Sequence, residues 1–278
     1  MKMKLYATAA TVALIAGGAS ADGHLDGVQI TVSGTWLSPE AEIVNEIFDL
    51  FEEQTGAEVS YVGSDSFEQQ VIIDAEAGSA ANISVFPQPG LAADLASRGF
   101  LTPLQEGSAE WIRDNYAAGQ SWVDLGTYAD ENGEDQLYGM FFRVDLKSLV
   151  WYSPENFEDA GYEIPGTMEE LKALTDQIVA DGETPWCIGL GSGAATGWPA
   201  TDWVEDMLLR TQPPEIYDAW VTNELSFNSP EIIGAIEEFG AFARNDDYVA
   251  GGAGAVATTD FRDSPKGMFS SPPQCYMH

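Results

Sequence analysis

Between residues 28 and 99 the chain alternates short apolar runs of strand type with amphipathic runs of helix type, and this alternation constrains the fold more than any other feature. Residues 28–32 (VQITV) read as a strand. Ser38-Pro39 then reads as an N-cap followed by proline at the first helical position. Ile43, Val44, Ile47, Phe48 and Phe51 share one helical face, which Gly56 closes. A second strand at 58–62 leads through the loop 63–66 into a helix carrying Phe67, Val71, Ile72 and Ala75. A third strand at 82–86 leaves through Pro87-Gln88-Pro89-Gly90, and a short helix with Leu91 and Leu95 stops at Gly99. Strands that alternate with helices in this order need crossover connections, hence a parallel sheet and an α/β fold class.

A second stretch with the same grammar spans residues 186–210. Trp186-Cys187-Ile188-Gly189-Leu190 has the unbroken apolar character of a strand buried on both faces. Gly191, Gly193 and Gly197 follow in a loop, and Pro199 opens a helix with Asp202, Glu205 and Asp206 in its early turns. Ligands of open α/β sheets sit at loops beyond the carboxyl ends of strands. A tryptophan beside amides, hydroxyls and a carboxylate suits a neutral polyhydroxylated molecule, because its flat face accepts C–H groups while the polar groups take hydroxyls.

Charge narrows the choice of partner. Eleven basic residues against 45 acidic ones leave −34, a field that repels nucleic acid and anionic lipid, so no nucleic-acid partner is expected. The carboxylates are spread along the chain, as solubility requires, instead of forming one acidic block. Residues 1–21 read as a secretory signal, with Lys2 and Lys4 ahead of an apolar segment and Ala19-Ser20-Ala21 as the cleavage site. That segment is too short for a membrane span. The mature chain is therefore expected to be soluble and exported. Cys187 and Cys275 are the only cysteines. In an oxidising compartment such a pair reads as a disulfide, with two buried thiols or a metal site as the alternatives. The two histidines, His24 and His278, give metal ligation little support, and no cofactor or metal is expected. No GxxxxGK[ST], HExxH, GxSxG or CxxC motif occurs.

Residues 103–136 are less regular and end in the polar loop ADENGEDQ. The runs 137–143 and 148–152 read as adjacent extended segments. Ser153-Pro154 starts a helix that ends at Gly161, and Thr167 with Glu170 forms a capping box for a helix carrying Leu171, Leu174 and Ile178. Helices follow at 214–221 and 229–244.

Tyr138-Gly139, the run Ser148-Leu149-Val150-Trp151-Tyr152, Phe157-Glu158-Asp159-Ala160-Gly161 and the Thr167-to-Leu171 segment together form a signature. It resembles the hinge and second lobe of extracellular solute-binding proteins of carbohydrate ABC transporters, the maltose-binding group. The loop SGAATGWPATDW and the cysteine contexts PWC and PPQC are most similar to its α-glucoside-binding branch. The resemblance implies a two-lobed α/β fold, each lobe a mostly parallel sheet flanked by helices. Its lobes would lie at 22–137 and 138–278, after the signal at 1–21. It implies a monomer without enzymatic activity that captures a sugar or oligosaccharide between the lobes and delivers it to the ABC permease. Members of the group are longer, so the chain reads as C-terminally truncated with its second lobe incomplete. An exported glycoside hydrolase is the alternative, since paired carboxylates and tryptophans also suit glycoside cleavage.

Each candidate ligand contact has a competing structural role. Trp36 either stacks on a sugar or staples its loop to the following helix. Asp65 accepts hydroxyls or caps the helix before Phe67, and Gln88 binds ligand or serves a proline-fixed turn. Arg143 donates to a hydroxyl or pairs with Asp145; Lys147 reads as structural. Trp198 is the leading ligand contact, with Thr196 and the amides around Gly197 as donors. Asp202 either binds hydroxyls or faces the helix dipole. Trp203, Met207 and Leu208 share a face and belong to the core.

Overall fold

The computed structural model describes residues 24–278, so the signal expected at 1–21 lies outside the described residues. Two compact units divide between Gln88 and Pro89, upstream of the pattern change at 137/138. The first unit contains β1 (Gln29–Gly34), α1 (Glu40–Thr55), β2 (Glu58–Gly63), α2 (Phe67–Ala77) and β3 (Ile83–Ser84). Its sheet has the order β2-β1-β3 and is parallel throughout, with Val32 registered against both Tyr61 and Ile83.

Local signals set the helix ends here. Gly56 takes the left-handed conformation (φ 77°) and its N–H reaches back to the Glu52 carbonyl. Ser38 does not cap the backbone of α1 as its position suggests; its hydroxyl donates to Glu42 Oε1 at 2.6 Å. The third strand is shorter than the apolar run implies, because side chains take over its pairing. Asn82 Oδ1 accepts from both the N–H and the hydroxyl of Thr31, each at 2.9 Å. The apolar residues of α1 do share a face, yet Ile43 and Ile47 are 62% and 57% exposed.

The second unit runs through α3 (Pro89–Ser97), α4 (Ser108–Asn115), α5 (Gln120–Leu125) and the antiparallel hairpin of β4 (Thr127–Ala129) and β5 (Asp135–Leu137). In the hairpin turn Asp130 accepts the N–H groups of Glu134 and Asn132, which holds its carboxyl below the usual carboxylate range. Then come α6 (Pro154–Ala160), α7 (Met168–Ala180), α8 (Trp198–Thr211), α9 (Pro214–Val221) and α10 (Pro230–Ala243). Ser153 caps α6 through the N–H of Asn156, and the Thr167/Glu170 capping box forms as its spacing predicts.

The core of this unit joins Leu174 and Ile178 of α7, Met207 and Leu208 of α8, and Ile232 and Phe242 of α10 around Trp186, Ile188 and Met277. The apolar run at 186–190 is extended and buried, as expected, but pairs only through isolated bridges. Trp186 lies between Val249 and Met277, both parallel, and Met277 also pairs antiparallel with Tyr152. The segment holding Met277 is thus inserted between two chain segments that precede it. The runs 137–143 and 148–152, read as adjacent extended segments, do not pair with each other as strands: residues 140–150 enter no sheet. They carry no regular hydrogen-bonded structure, and Ser148 breaks the extended course with a φ of 64°. Among the described residues no helix is long and apolar enough to cross a membrane.

Three phenols in this unit rest against carboxylates. Burial, reinforced by Asp181, pushes the Tyr162 hydroxyl up to about 12, and burial with Glu205 does the same for Tyr217. For Tyr248 the hydrogen bond donated to Asp176 is the leading cause of a rise to about 12. An unfolded chain releases these protons near pH 10, whereas the folded one holds them to about pH 12. Over that interval the unfolded state binds fewer protons, so the stability these groups contribute, fully present below about pH 10, is lost as pH rises through it. Urea midpoints are expected to hold steady between about pH 7 and pH 10 and decline above that range; a midpoint that stays level through pH 12 contradicts the assignment.

Candidate functional site

The loop after the 186–190 run is closed by its own side chains. The Thr196 hydroxyl donates to the Gly193 carbonyl at 2.8 Å and accepts the N–H of Ser192 at 3.0 Å. The hydroxyl expected to meet a ligand is therefore engaged in shaping the turn. Gly197, at φ 109°, takes a conformation few other residues adopt, and its N–H returns to the Leu190 carbonyl at 2.9 Å. This reversal places Trp198 as the first residue of α8, at the mouth of the loop.

Trp198 is 36% exposed. Phe261 packs against it nearly perpendicular, with centroids 4.8 Å apart, and the Arg262 guanidinium lies 4.3 Å from the Phe261 ring centre. Backbone pairing brings Phe261 here: Gly191 donates to Thr259 and accepts from Phe261. The Lys147 ammonium stands over the Trp198 ring, 5.0 Å from its centre, and donates to Asp202 Oδ2 at 2.5 Å. Because α8 opens at Trp198, Asp202 sits beyond its first turn. It is too far along to serve the terminal amides, and its observed partner is Lys147.

The other candidates have defined places. Arg143 pairs with Asp145 at 2.9 Å, both about half exposed, which favours the structural side of its two readings. In the first unit, Trp36, Asp65 and Gln88 occupy loops beyond the carboxyl ends of the parallel strands β1, β2 and β3. Trp36 is fixed through its backbone. Its N–H donates to the Tyr61 hydroxyl at 2.9 Å, and that hydroxyl donates to the Trp36 carbonyl at 3.2 Å. The same carbonyl lies so close to Gly63 that a Cβ there would fall 1.8 Å away. Asp65 accepts from Ser66 Oγ at 3.2 Å, a contact within its own loop. Cys187 and Cys275 form a disulfide at the root of the 191–197 loop, with Cα atoms 5.5 Å apart and both residues buried.

Sequence reasoning missed Lys147 as a neighbour of Trp198 and Asp202, and missed Phe261 and Arg262 altogether. Lys147 and Asp202 are 55 residues apart, and no periodicity joins them. The aromatic-basic pair at 261–262, in a stretch otherwise rich in glycine and alanine, was the available signal.

Residues 36–265 match the model for bacterial extracellular solute-binding proteins. The chain belongs to that family. This binding protein is 60% identical over 257 residues to the alpha-glucosides-binding periplasmic protein AglE of Rhizobium meliloti, covering 92% of this chain and 56% of the relative. It is 40% identical over 262 residues to the osmoprotective compounds-binding protein GgtB of Synechocystis, covering 94% and 61%. The binding protein thus spans little more than half the length of these curated relatives. A solved structure from work on xylan utilization by Caldanaerobius polysaccharolyticus superposes with a TM-score of 0.66 at 17% identity, covering 90% of this chain and 60% of the other. The fold class is therefore the two-lobed α/β one of periplasmic binding proteins, over the part that the chain covers.

Proposed function

We propose that this protein captures an α-glucoside in the periplasm and delivers it to the permease of an ABC transporter. It makes and breaks no bond. The observation that carries the reading is Trp198, held at a loop mouth beside the Asp202 carboxylate, in a chain 60% identical to a protein named for binding α-glucosides. A pyranose would lay its C–H face on the indole and donate a hydroxyl to Asp202, the pairing of a flat apolar surface with a fixed acceptor that a neutral sugar needs. Removal of residues 1–21 on export, lobes meeting at 137/138 and a monomeric state belong to the same proposal.

Calorimetric titration with trehalose, sucrose and maltose tests it. Trp198→Ala is expected to weaken the tightest of the three by about tenfold or more, roughly 1.4 kcal/mol. Unchanged affinity removes Trp198 from the site, and glucose released with multiple turnover from any of the three sugars overturns the binding-only reading.

A further inference from the structure

The two groups assigned above to the ligand are already in contact with one cation. Lys147 sets its ammonium over the Trp198 ring at 5.0 Å and donates to Asp202 Oδ2 at 2.5 Å. An ammonium on a ring face and a sugar C–H face on that same face exclude one another. Phe261, perpendicular to Trp198 at 4.8 Å, narrows the remaining access to the indole. Asp202 is engaged by the same cation, since its Oδ2 accepts from Lys147 and a hydroxyl taking that oxygen competes with the ammonium.

Lys147 is also placed to leave. Its side chain is 54% exposed and that of Asp202 is 34% exposed, so the pair is open to water and each group keeps its solvation when they part. The segment that carries it, residues 140–150, has no regular structure, and Val144 and Leu146 beside Lys147 are largely exposed. Two ties run from this segment to α8: Lys147 to Asp202, and the Arg210 guanidinium donating to the Ser148 carbonyl at 3.4 Å.

We propose that Lys147 is a displaceable occupant of the ligand site, competing with the sugar for Trp198 and Asp202. Binding exchanges the ammonium for a pyranose and a hydroxyl, and in doing so releases one of the ties that hold residues 140–150 to α8. The inference rests on the assignment of Trp198 and Asp202 to the ligand.

Exposed ion pairs and cation–π contacts are individually weak, so removing the competitor shifts affinity several-fold, not by decades. Lys147→Met keeps the length of the stem and deletes the charge. Titrated with trehalose, sucrose and maltose, the full chain carrying Lys147→Met is expected to bind the preferred sugar about 3- to 10-fold tighter than wild type. Lys147→Arg, which retains a cation, is expected to stay close to wild type. A second readout separates competition from mere support of the fold. Raising NaCl from about 0.05 to 0.5 M screens the Lys147–Asp202 pair, so affinity for a neutral sugar should rise in wild type and stay flat in Lys147→Met. If Lys147→Met binds no tighter than wild type while Trp198→Ala loses affinity, the competition is refuted and the site assignment stands. If Trp198→Ala binds like wild type, or wild type binds none of the three sugars, the assignment itself fails and the competition fails with it.

Discussion

Trp186→Ala is expected to destabilise the protein by about 3–5 kcal/mol, much of the stability a domain typically has. Trp186 is completely buried. Its ring meets Trp203 and Phe242, both with centroids 5.5 Å away and planes more than 70° apart, the edge-to-face arrangement aromatic quadrupoles favour. Its indole N–H donates to Thr175 Oγ1 at 3.0 Å, and the Thr175 hydroxyl, also completely buried, donates in turn to the Leu171 carbonyl. Alanine would leave a void between α7, α8 and α10 and strip a buried hydroxyl oxygen of its donor. The urea midpoint and near-ultraviolet dichroism report the effect. Trp186→Phe separates its parts: it keeps most of the ring volume and loses the indole donor, so about 1–3 kcal/mol should go. A Trp186→Ala protein that unfolds at the wild-type midpoint would contradict this account of the core.

Removing the disulfide is expected to have a comparable effect by a different route. Cys187 and Cys275 are 88 residues apart, and closing a loop of that length restricts the unfolded chain by about 4–5 kcal/mol in the chain-entropy account. Paired substitution to alanine avoids burying new hydroxyls, since both positions are shielded from water. The urea midpoint should fall steeply, with a steeper dependence on urea as the released unfolded chain expands. A loss of stability below about 1 kcal/mol would mean that the unfolded chain gains little freedom from the missing link.

What could be read from the sequence was what neighbouring residues decide. Gly56 ends α1, Ser153 caps α6, and Thr167 with Glu170 starts α7, because each signal acts within one turn of helix. Trp203 belongs to the core as its helical spacing implied. The runs 137–143 and 148–152 were read as adjacent extended segments, but apolar character says only that a strand is permitted, while pairing needs a partner at the right place. Tyr152 finds one in Met277; residues 140–150 carry no such pairing. The place of Trp198 at the mouth of the 191–197 loop was legible from its glycine-rich surroundings. The partner of Asp202 was not, because position 202 was taken for a first turn and Lys147 reaches it from a distant loop.

The insertion of Met277 between Tyr152 and Trp186 has a consequence for biogenesis. A chain emerging N-terminus first, from a ribosome or through a membrane pore, presents Tyr152 and Trp186 well before Met277 arrives to pair with them. Contacts so distant in sequence form slowly, so this core stays open until residues 275–277 have emerged. The Cys187–Cys275 bond can be made only after Cys275 has emerged.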